Sequence, residues 1–341
     1  MTSLLQLTKP TKQLAYLKKL TGRYGLLQHA KGYRPDPRFG YTLDDNARAL
    51  TAAIMLADQF GYRLKRLVDP YLSFTERAQL PDGSFVNFFD ENGKPLEQRG
   101  SEDSLGRAIW ALSLLSVNRT DRRLRQKGRQ LLNRSLPAVA KLSSTRGIAN
   151  ALVAAVTRVD APQVRKLAGE LAHRINRYRK RDWVWFEPVL SYDNGLVAMA
   201  LAESAQLLKD RKMLSLAQEV FSFLDISCRV KGIPAPIGNK GWYRRGGKRA
   251  VYDQQPIDPT AMVLAACSLY RASGDFRYRG KALDWWSWFY GNNTKRVKLI
   301  NERTGGIFDG ITPAGVNRNQ GAENIVSYLI AYAAMHRTLE R

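Results

Sequence analysis

Apolar residues along this chain recur with helical rather than strand periodicity, in two alternating kinds of segment. Six segments are apolar almost all round, near 43–60, 102–117, 147–158, 192–209, 258–272 and 322–339. They are rich in small residues, as in Ala47, Ala49, Ala52 and Ala53, or Ala198, Ala200 and Ala202, which suits close packing on several sides. Six amphipathic segments alternate with them, near 9–21, 63–78, 121–142, 161–180, 211–226 and 275–290, and carry many of the Lys and Arg residues. Twelve helices alternating between inner and outer character predict an all-α fold, an (α/α)6 toroid with long loops at one end. No charge run or low-complexity linker divides the chain, so a single domain over 1–341 is expected.

Each inner segment opens on a short polar loop, and five of the six loops carry carboxylates. They are Thr42-Leu43-Asp44-Asp45-Asn46, Ser101-Glu102-Asp103-Ser104, Thr145-Arg146-Gly147, Ser191-Tyr192-Asp193-Asn194, Asp253 to Asp258, and Gln320-Gly321-Ala322-Glu323-Asn324. Closing the hairpins into a ring brings all six loops to one end, around a carboxylate-lined pocket. Longer connections at 79–100, 229–257 and 301–321 are rich in Gly, Pro, Asn and aromatics, and binding chemistry concentrates on loops of that kind. The first, with turns at Pro81-Asp82-Gly83 and Glu91-Asn92-Gly93, is expected to fold over the pocket mouth.

Composition narrows the choice. Hydrophobic residues make up 44% and aromatics 10%, a globular balance. Cys228 and Cys267 offer neither a disulfide framework nor metal spacing and read as reduced core residues. His29, His173 and His336 are too dispersed to suggest a metal site, and no phosphate-binding glycine loop or nucleophile elbow is present. No metal and no cofactor are expected. The net charge of +24 comes from basic residues spread along the outer segments, densest over Arg119–Arg129 and Arg174–Arg181. These read as solvated helix faces, without a specific nucleic-acid partner. Met1–Pro10 lacks a basic leader followed by an apolar core, and no run reaches the length of a membrane span, so a cytoplasmic location is expected.

The candidate chemistry lies in the loops. Adjacent carboxylates such as Asp44 and Asp45 at a helix start repel unless they cap, pair or react. A structural alternative gives Asp44 the cap and pairs Asp45 with Arg48. Trp185 and Glu187 precede Tyr192, Asp193 and Asn194, and Trp242 precedes Asp253, Gln254, Gln255 and Asp258. Flat apolar rings beside carboxylates and amides are what a sugar site requires. Asn319, Gln320 and Glu323 repeat the theme near the C-terminus, and His29 lies in the loop before Asp44.

On these stretches, above all Gly40-Tyr41-Thr42-Leu43-Asp44-Asp45-Asn46-Ala47-Arg48-Ala49 and Asp253-Gln254-Gln255-Pro256-Ile257-Asp258, the chain resembles an uncharacterised (α/α)6-type domain found beside or fused to bacterial group-1 glycosyltransferases. The resemblance implies a carbohydrate-active role, near mannose-containing glycans, and a glycosyltransferase partner. The architecture is also similar to toroidal glycosidases in which an adjacent Asp pair is catalytic.

A glycoside hydrolase acting on an oligosaccharide is therefore expected. Its acids are expected to be one of Asp44 and Asp45 with one of Glu187, Asp253 and Asp258, because inverting hydrolysis needs two carboxyls about 6.5–9.5 Å apart. His29, Asn46, Arg48, Glu102, Asp103, Arg107, Trp185, Tyr192, Asp193, Asn194, Trp242, Gln254, Gln255, Asn319, Gln320 and Glu323 are the expected substrate contacts. The alternatives are a sugar isomerase, a glycan phosphorylase with phosphate on Arg48, Arg107, Arg244 or Arg245, or a non-catalytic glycan-binding partner.

Overall fold

A computed structural model describes residues 7–340 and contains twelve α-helices among them. Six form an inner ring: α2 (Leu43–Phe60), α4 (Glu102–Val117), α6 (Thr145–Thr157), α8 (Gly195–Leu208), α10 (Ile257–Ser273) and α12 (Ala322–Leu339). Each packs on the next, and α12 closes back onto α2. The outer layer is α1 (Thr11–Leu20), α3 (Leu64–Ala78), α5 (Arg122–Val139), α7 (Ala161–Tyr178), α9 (Arg211–Ser227) and α11 (Phe276–Trp286). This is the (α/α)6 toroid. Of the N-terminal stretch from which the absence of a leader was read, residues 1–6 lie outside the described residues.

Packing separates the layers. Inner helices bury nearly every position; in α12, for example, Ile325, Val326, Leu329, Ala331, Ala333 and Met335 are fully buried. Their alanines and glycines let neighbouring backbones approach. A Cβ at Gly195 would stand 2.4 Å from the Ala261 backbone, so only glycine allows α8 to begin against α10. The expected start of α8 at 192 shifts to 195 because Asp193 adopts a left-handed φ of 52°, which no helix tolerates. Cys228 and Cys267 are free and buried.

Three of the inner helix starts are capped by hydroxyls, not acids, whereas α8, α10 and α12 begin without a side-chain cap. Thr42 accepts the Asp45 amide, Ser101 the Ser104 amide and Ser144 the Gly147 amide. Asp44 therefore does not cap α2. The six inner N-termini share one end, and the loops there pair into short ribbons, such as Tyr41–Thr42 with Phe88–Phe89 and Gly310–Thr312 with Gly315–Asn317. At the opposite end the inner helices surround a mostly apolar hollow of about 700 Å³ lined by Met55, Trp110, Leu114 and Met199. Among the described residues no helix is long and apolar enough to cross a membrane, and no His/Cys/Asp/Glu group is arranged to hold a metal ion.

Candidate active site

At the N-terminal end of the ring lies a hollow of about 330 Å³ whose wall includes Asp44, Asp45, Asp253, Asp309 and Glu323. His29, Asn87, Asn239, Gln255, Asn317 and Asn324 are among its other polar lining residues. A second hollow of about 290 Å³ shares Asp44, Asn87, Asn239, Gln255 and Glu323 with it, and adds Arg48, Asp103, Arg107, Tyr192 and Trp242. Thus the site is one acidic cleft with an aromatic extension.

Three buried arginines organise it, each projecting from the first turns of an inner helix. Arg48 on α2 reaches Asp44 at 3.1 Å, Asp45 at 3.4 Å and Glu323 on α12 at 3.1 Å. Arg107 on α4 pairs with Asp44 and, at 3.2 Å, with Asp193 ahead of α8. The Asp193 amide in turn donates to Asp258 on α10 at 2.7 Å. Arg146 on α6 donates to the Tyr192 carbonyl at 2.7 Å, to Ser191 at 2.6 Å and to Asn194 at 3.1 Å. Ion pairs and hydrogen bonds therefore tie together the starts of all six inner helices.

The same network splits the acids. Burial acts to raise the Asp44 carboxyl, but Arg107 and Arg48 outweigh it and hold Asp44 below the ordinary carboxylate range. Asp45, its chain neighbour, is only 4% exposed, and burial pushes it up to about 7, with Asp44 and Glu323 adding repulsion against the pull of Arg48. Burial also raises Asp309, which accepts hydrogen bonds from the Gly321 amide and the Asn324 side chain. Asp258 is pushed well up by burial, reinforced by Asp193 and Glu323, and its Oδ2 has no hydrogen-bond partner. Asp253 touches Lys240 at 3.2 Å through one oxygen, while its buried Oδ1 has no protein partner.

Of the expected acids, Asp44, Asp45 and Asp253 line the cleft and two do not. Glu187 turns to Arg146 at 3.3 Å, and Asp258 lies beneath the wall, holding the Asp193 amide. Among the expected contacts, His29, Arg48, Asp103, Arg107, Tyr192, Trp242, Gln255 and Glu323 line one hollow or the other. The Tyr192 hydroxyl donates to Asp103, and its ring lies 6.0 Å from that of Trp242.

Several expectations need correction. Trp185 is no stacking platform: its indole is fully buried against Phe186 and donates to the Val189 carbonyl at 3.0 Å. Gln254 is fully buried and joins Val251, Thr294 and Trp288. Gln320 is buried beneath the Thr304 hydroxyl, and Asn46 clamps Leu26 and the Thr42 carbonyl. Glu102 accepts the Ser143 and Ser144 amides and so fixes the entry to α6. Asn194 is held by Arg146, Asn319 by the Gly32 amide, and Asp193 sits behind Arg107. Nor do Arg244 and Arg245 line either hollow; both are exposed.

Sequence reasoning passed over Arg146, Asn87 and Asn239 as site residues. Arg146 carried a signal, since it opens α6 as Arg48 and Arg107 open their helices. Asn87 and Asn239 carried none, because only the fold of the long loops brings them to the wall.

No known protein-family model matches the sequence, and comparison with curated proteins gives no match. Solved structures do resemble the fold. The chain superposes on a D-mannose isomerase with a TM-score of 0.78 at 13% identity, over 99% of this chain and 98% of that one. A cellobiose 2-epimerase from Bacillus thermoamylovorans gives 0.75 at 12%, over 100% of both chains. A family 76 α-1,6-mannanase from Salegentibacter gives 0.63 at 12%, over 97% of this chain and 100% of that one. At such identities the likeness establishes the toroid alone.

Proposed function

We propose that the protein is a carbohydrate-active enzyme and, within that class, a glycoside hydrolase. One observation carries the reading: two carboxyls in one cleft, Asp44 and Asp45, are driven apart in proton affinity, one held ionised and the other holding a proton near neutrality. Asp45 gives its proton to the glycosidic oxygen as the bond from that oxygen to the anomeric carbon breaks. Asp253, which lines the same cleft, takes a proton from the water that attacks the anomeric carbon from the other side. Asp44 stays charged and steadies the cation-like sugar. Solvent exchange then returns both acids to their starting states.

Hydrolysis is favoured over phosphorolysis by the arginines. Arg48 and Arg107, the arginines lining the two hollows among the described residues, are already engaged by carboxylates and so are poorly placed to hold phosphate. Mannose-containing glycans are the proposed substrate class, from the likeness to a mannanase and the resemblance of the loops; the latter also proposes a glycosyltransferase as partner. A second reading, sugar isomerisation, draws on His29 in the wall and on the isomerase and epimerase likenesses.

The test is a panel of mannosides and other oligosaccharides, incubated in deuterated water with and without phosphate. Hydrolysis predicts new reducing ends independent of phosphate, lost in Asp253→Asn with folding intact. Deuterium at C1 or C2 of a free sugar without chain cleavage would replace this reading by isomerisation or epimerisation. Trp242→Ala is expected to raise KM about fivefold, for a lost stacking contact of about 1 kcal/mol, with kcat little changed. A loss confined to kcat would remove Trp242 from substrate binding.

A further inference from the structure

Each of the two hollows has an aromatic side chain that the other lacks: Phe88 lines the first and Trp242 the second. Phe88 is 44% exposed, although its neighbour in the same two-residue strand, Phe89, is buried against Phe74. Successive side chains of a strand point to opposite faces, so Phe89 takes the core and Phe88 is left to the cleft.

The strand pairing fixes where the exposed ring stands. Phe88 lies directly opposite Thr42, and side chains so placed in an antiparallel pair project to the same face. The Thr42 hydroxyl donates to the Asp45 carboxylate at 2.8 Å, so Phe88 shares its side of the ribbon with the approach to the proposed acid. The backbone beneath the ring is firmly held. Glu97 accepts the Asn87 and Phe88 amides at 2.7 and 3.0 Å, and the Phe88 carbonyl accepts the Leu96 amide at 2.9 Å. Asn87 in turn takes the Leu43 and Asp44 amides at 2.8 and 3.0 Å, which ties the ring to the start of α2.

Trp242 is set in place by other means. It adopts a left-handed φ of 55°, which a bulky residue keeps only where its surroundings impose it. Its amide donates to the Gly238 carbonyl at 3.1 Å and its carbonyl accepts the Ala250 amide at 2.8 Å. Single exposed apolar residues are ordinary on a surface, but these two are fixed and line a polar cleft. Asp44, Asn87 and Glu323 belong to both hollows, so hydrogen-bonding groups continue from one ring to the other. A flat apolar face with polar groups at its edge matches a pyranose, whose hydroxyls project around an apolar ring face.

We infer that Phe88 and Trp242 are platforms for two consecutive sugars, so that the cleft selects an oligosaccharide over a free monosaccharide. The inference rests on the carbohydrate reading of the cleft, but not on which bond is broken there.

Calorimetric binding to the Asp45→Asn protein, in which turnover is expected to be slow, tests it. The probes are mannose with α-1,6-mannobiose, and glucose with cellobiose, pairs suggested by the mannanase and epimerase likenesses. One of the disaccharides should bind at least about tenfold more tightly than its monosaccharide. Phe88→Ala and Trp242→Ala should each weaken disaccharide binding about fivefold, and together about 25-fold, because the rings meet different sugars. A monosaccharide fills one hollow, so only one of the two substitutions should weaken its binding. Phe88→Trp should keep the affinity, whereas Phe88→Leu, apolar but not flat, should lose as much as Phe88→Ala. Phe276→Ala should change nothing, since Phe276 is exposed beside Tyr270 at the opposite end of α10. Undiminished disaccharide binding by Phe88→Ala would overturn the inference and leave the carbohydrate reading standing. So would equal losses on monosaccharide and disaccharide from both substitutions, which would put the two rings on one sugar. Failure of the parent protein to bind any of the four sugars would remove the carbohydrate reading itself, and the inference with it.

Discussion

Replacing Asp45 by Asn is expected to lower kcat by about 10²–10⁴-fold, the usual contribution of a positioned general acid. The substitution keeps the shape of the protonated carboxyl and removes its proton. The loss should be smallest on aryl glycosides with acidic leaving groups, which depart without protonation, whereas Asp253→Asn should impair both substrate types alike. Activity of the wild type should fall as pH rises through about 7, where Asp45 loses its proton. Stability carries the same signature with a defined sign. Because the Asp45 pKa is raised from 3.8 to about 7, the folded protein binds the extra proton between those values, and the contribution of this group to stability declines as pH rises across that window. Asp44 has the opposite sign: its depressed pKa stabilises the fold above the ordinary carboxylate value, and that contribution is lost on acidification. Asp45→Asn should therefore gain stability relative to wild type between pH 4 and 8 while losing turnover, followed by thermal unfolding at each pH. Turnover within a few fold of wild type on all substrates would remove Asp45 from the role of acid.

The toroid was legible because its cause is local. Inner helices bury every face and outer ones bury a single stripe, so the two kinds differ in composition all along the chain. The misplaced boundary at α8 had a cause without such a signature: Asp193 turns left-handed to present its amide to Asp258 and its carboxylate to Arg107, contacts made across the ring. The acidic end of the ring was legible for the same reason as the helices, since each loop sits next to the helix it opens.

Division of labour within that end was not legible. Asp253 and Asp258 are five residues apart and equally polar in sequence, yet one reaches the cleft and the other lies beneath it. Trp185 and Trp242 look alike as aromatics beside acids, but only Trp242 escapes the core. Which side chain of a polar loop faces inward depends on contacts with other loops. Asn87 reaches the site because its carbonyl and side chain hold the Leu43 and Asp44 amides, 43 residues away for the latter bond. Such pairings have no periodicity to read.

Arg107→Met is expected to cost about 3–5 kcal/mol of folding stability, because it strips a buried ion pair of one partner and strands the other. Arg107 is 6% exposed and joins α2, α4 and the approach to α8 through Asp44 and Asp193. Methionine matches the aliphatic stem, so the loss reports charge rather than cavity. Against a typical stability of about 5–15 kcal/mol, a change of this size moves the urea midpoint clearly. Asp44 retains Arg48, whereas Asp193 retains no paired cation, so most of the penalty should trace to Asp193. Adding Asp193→Asn to Arg107→Met should then recover stability, and the double-mutant cycle should show coupling above 1 kcal/mol, within the range of about 0.5–3 kcal/mol for residues in one network. A single substitution that leaves the midpoint in place would mean that the arginine network orders charge in the cleft without holding the ring together.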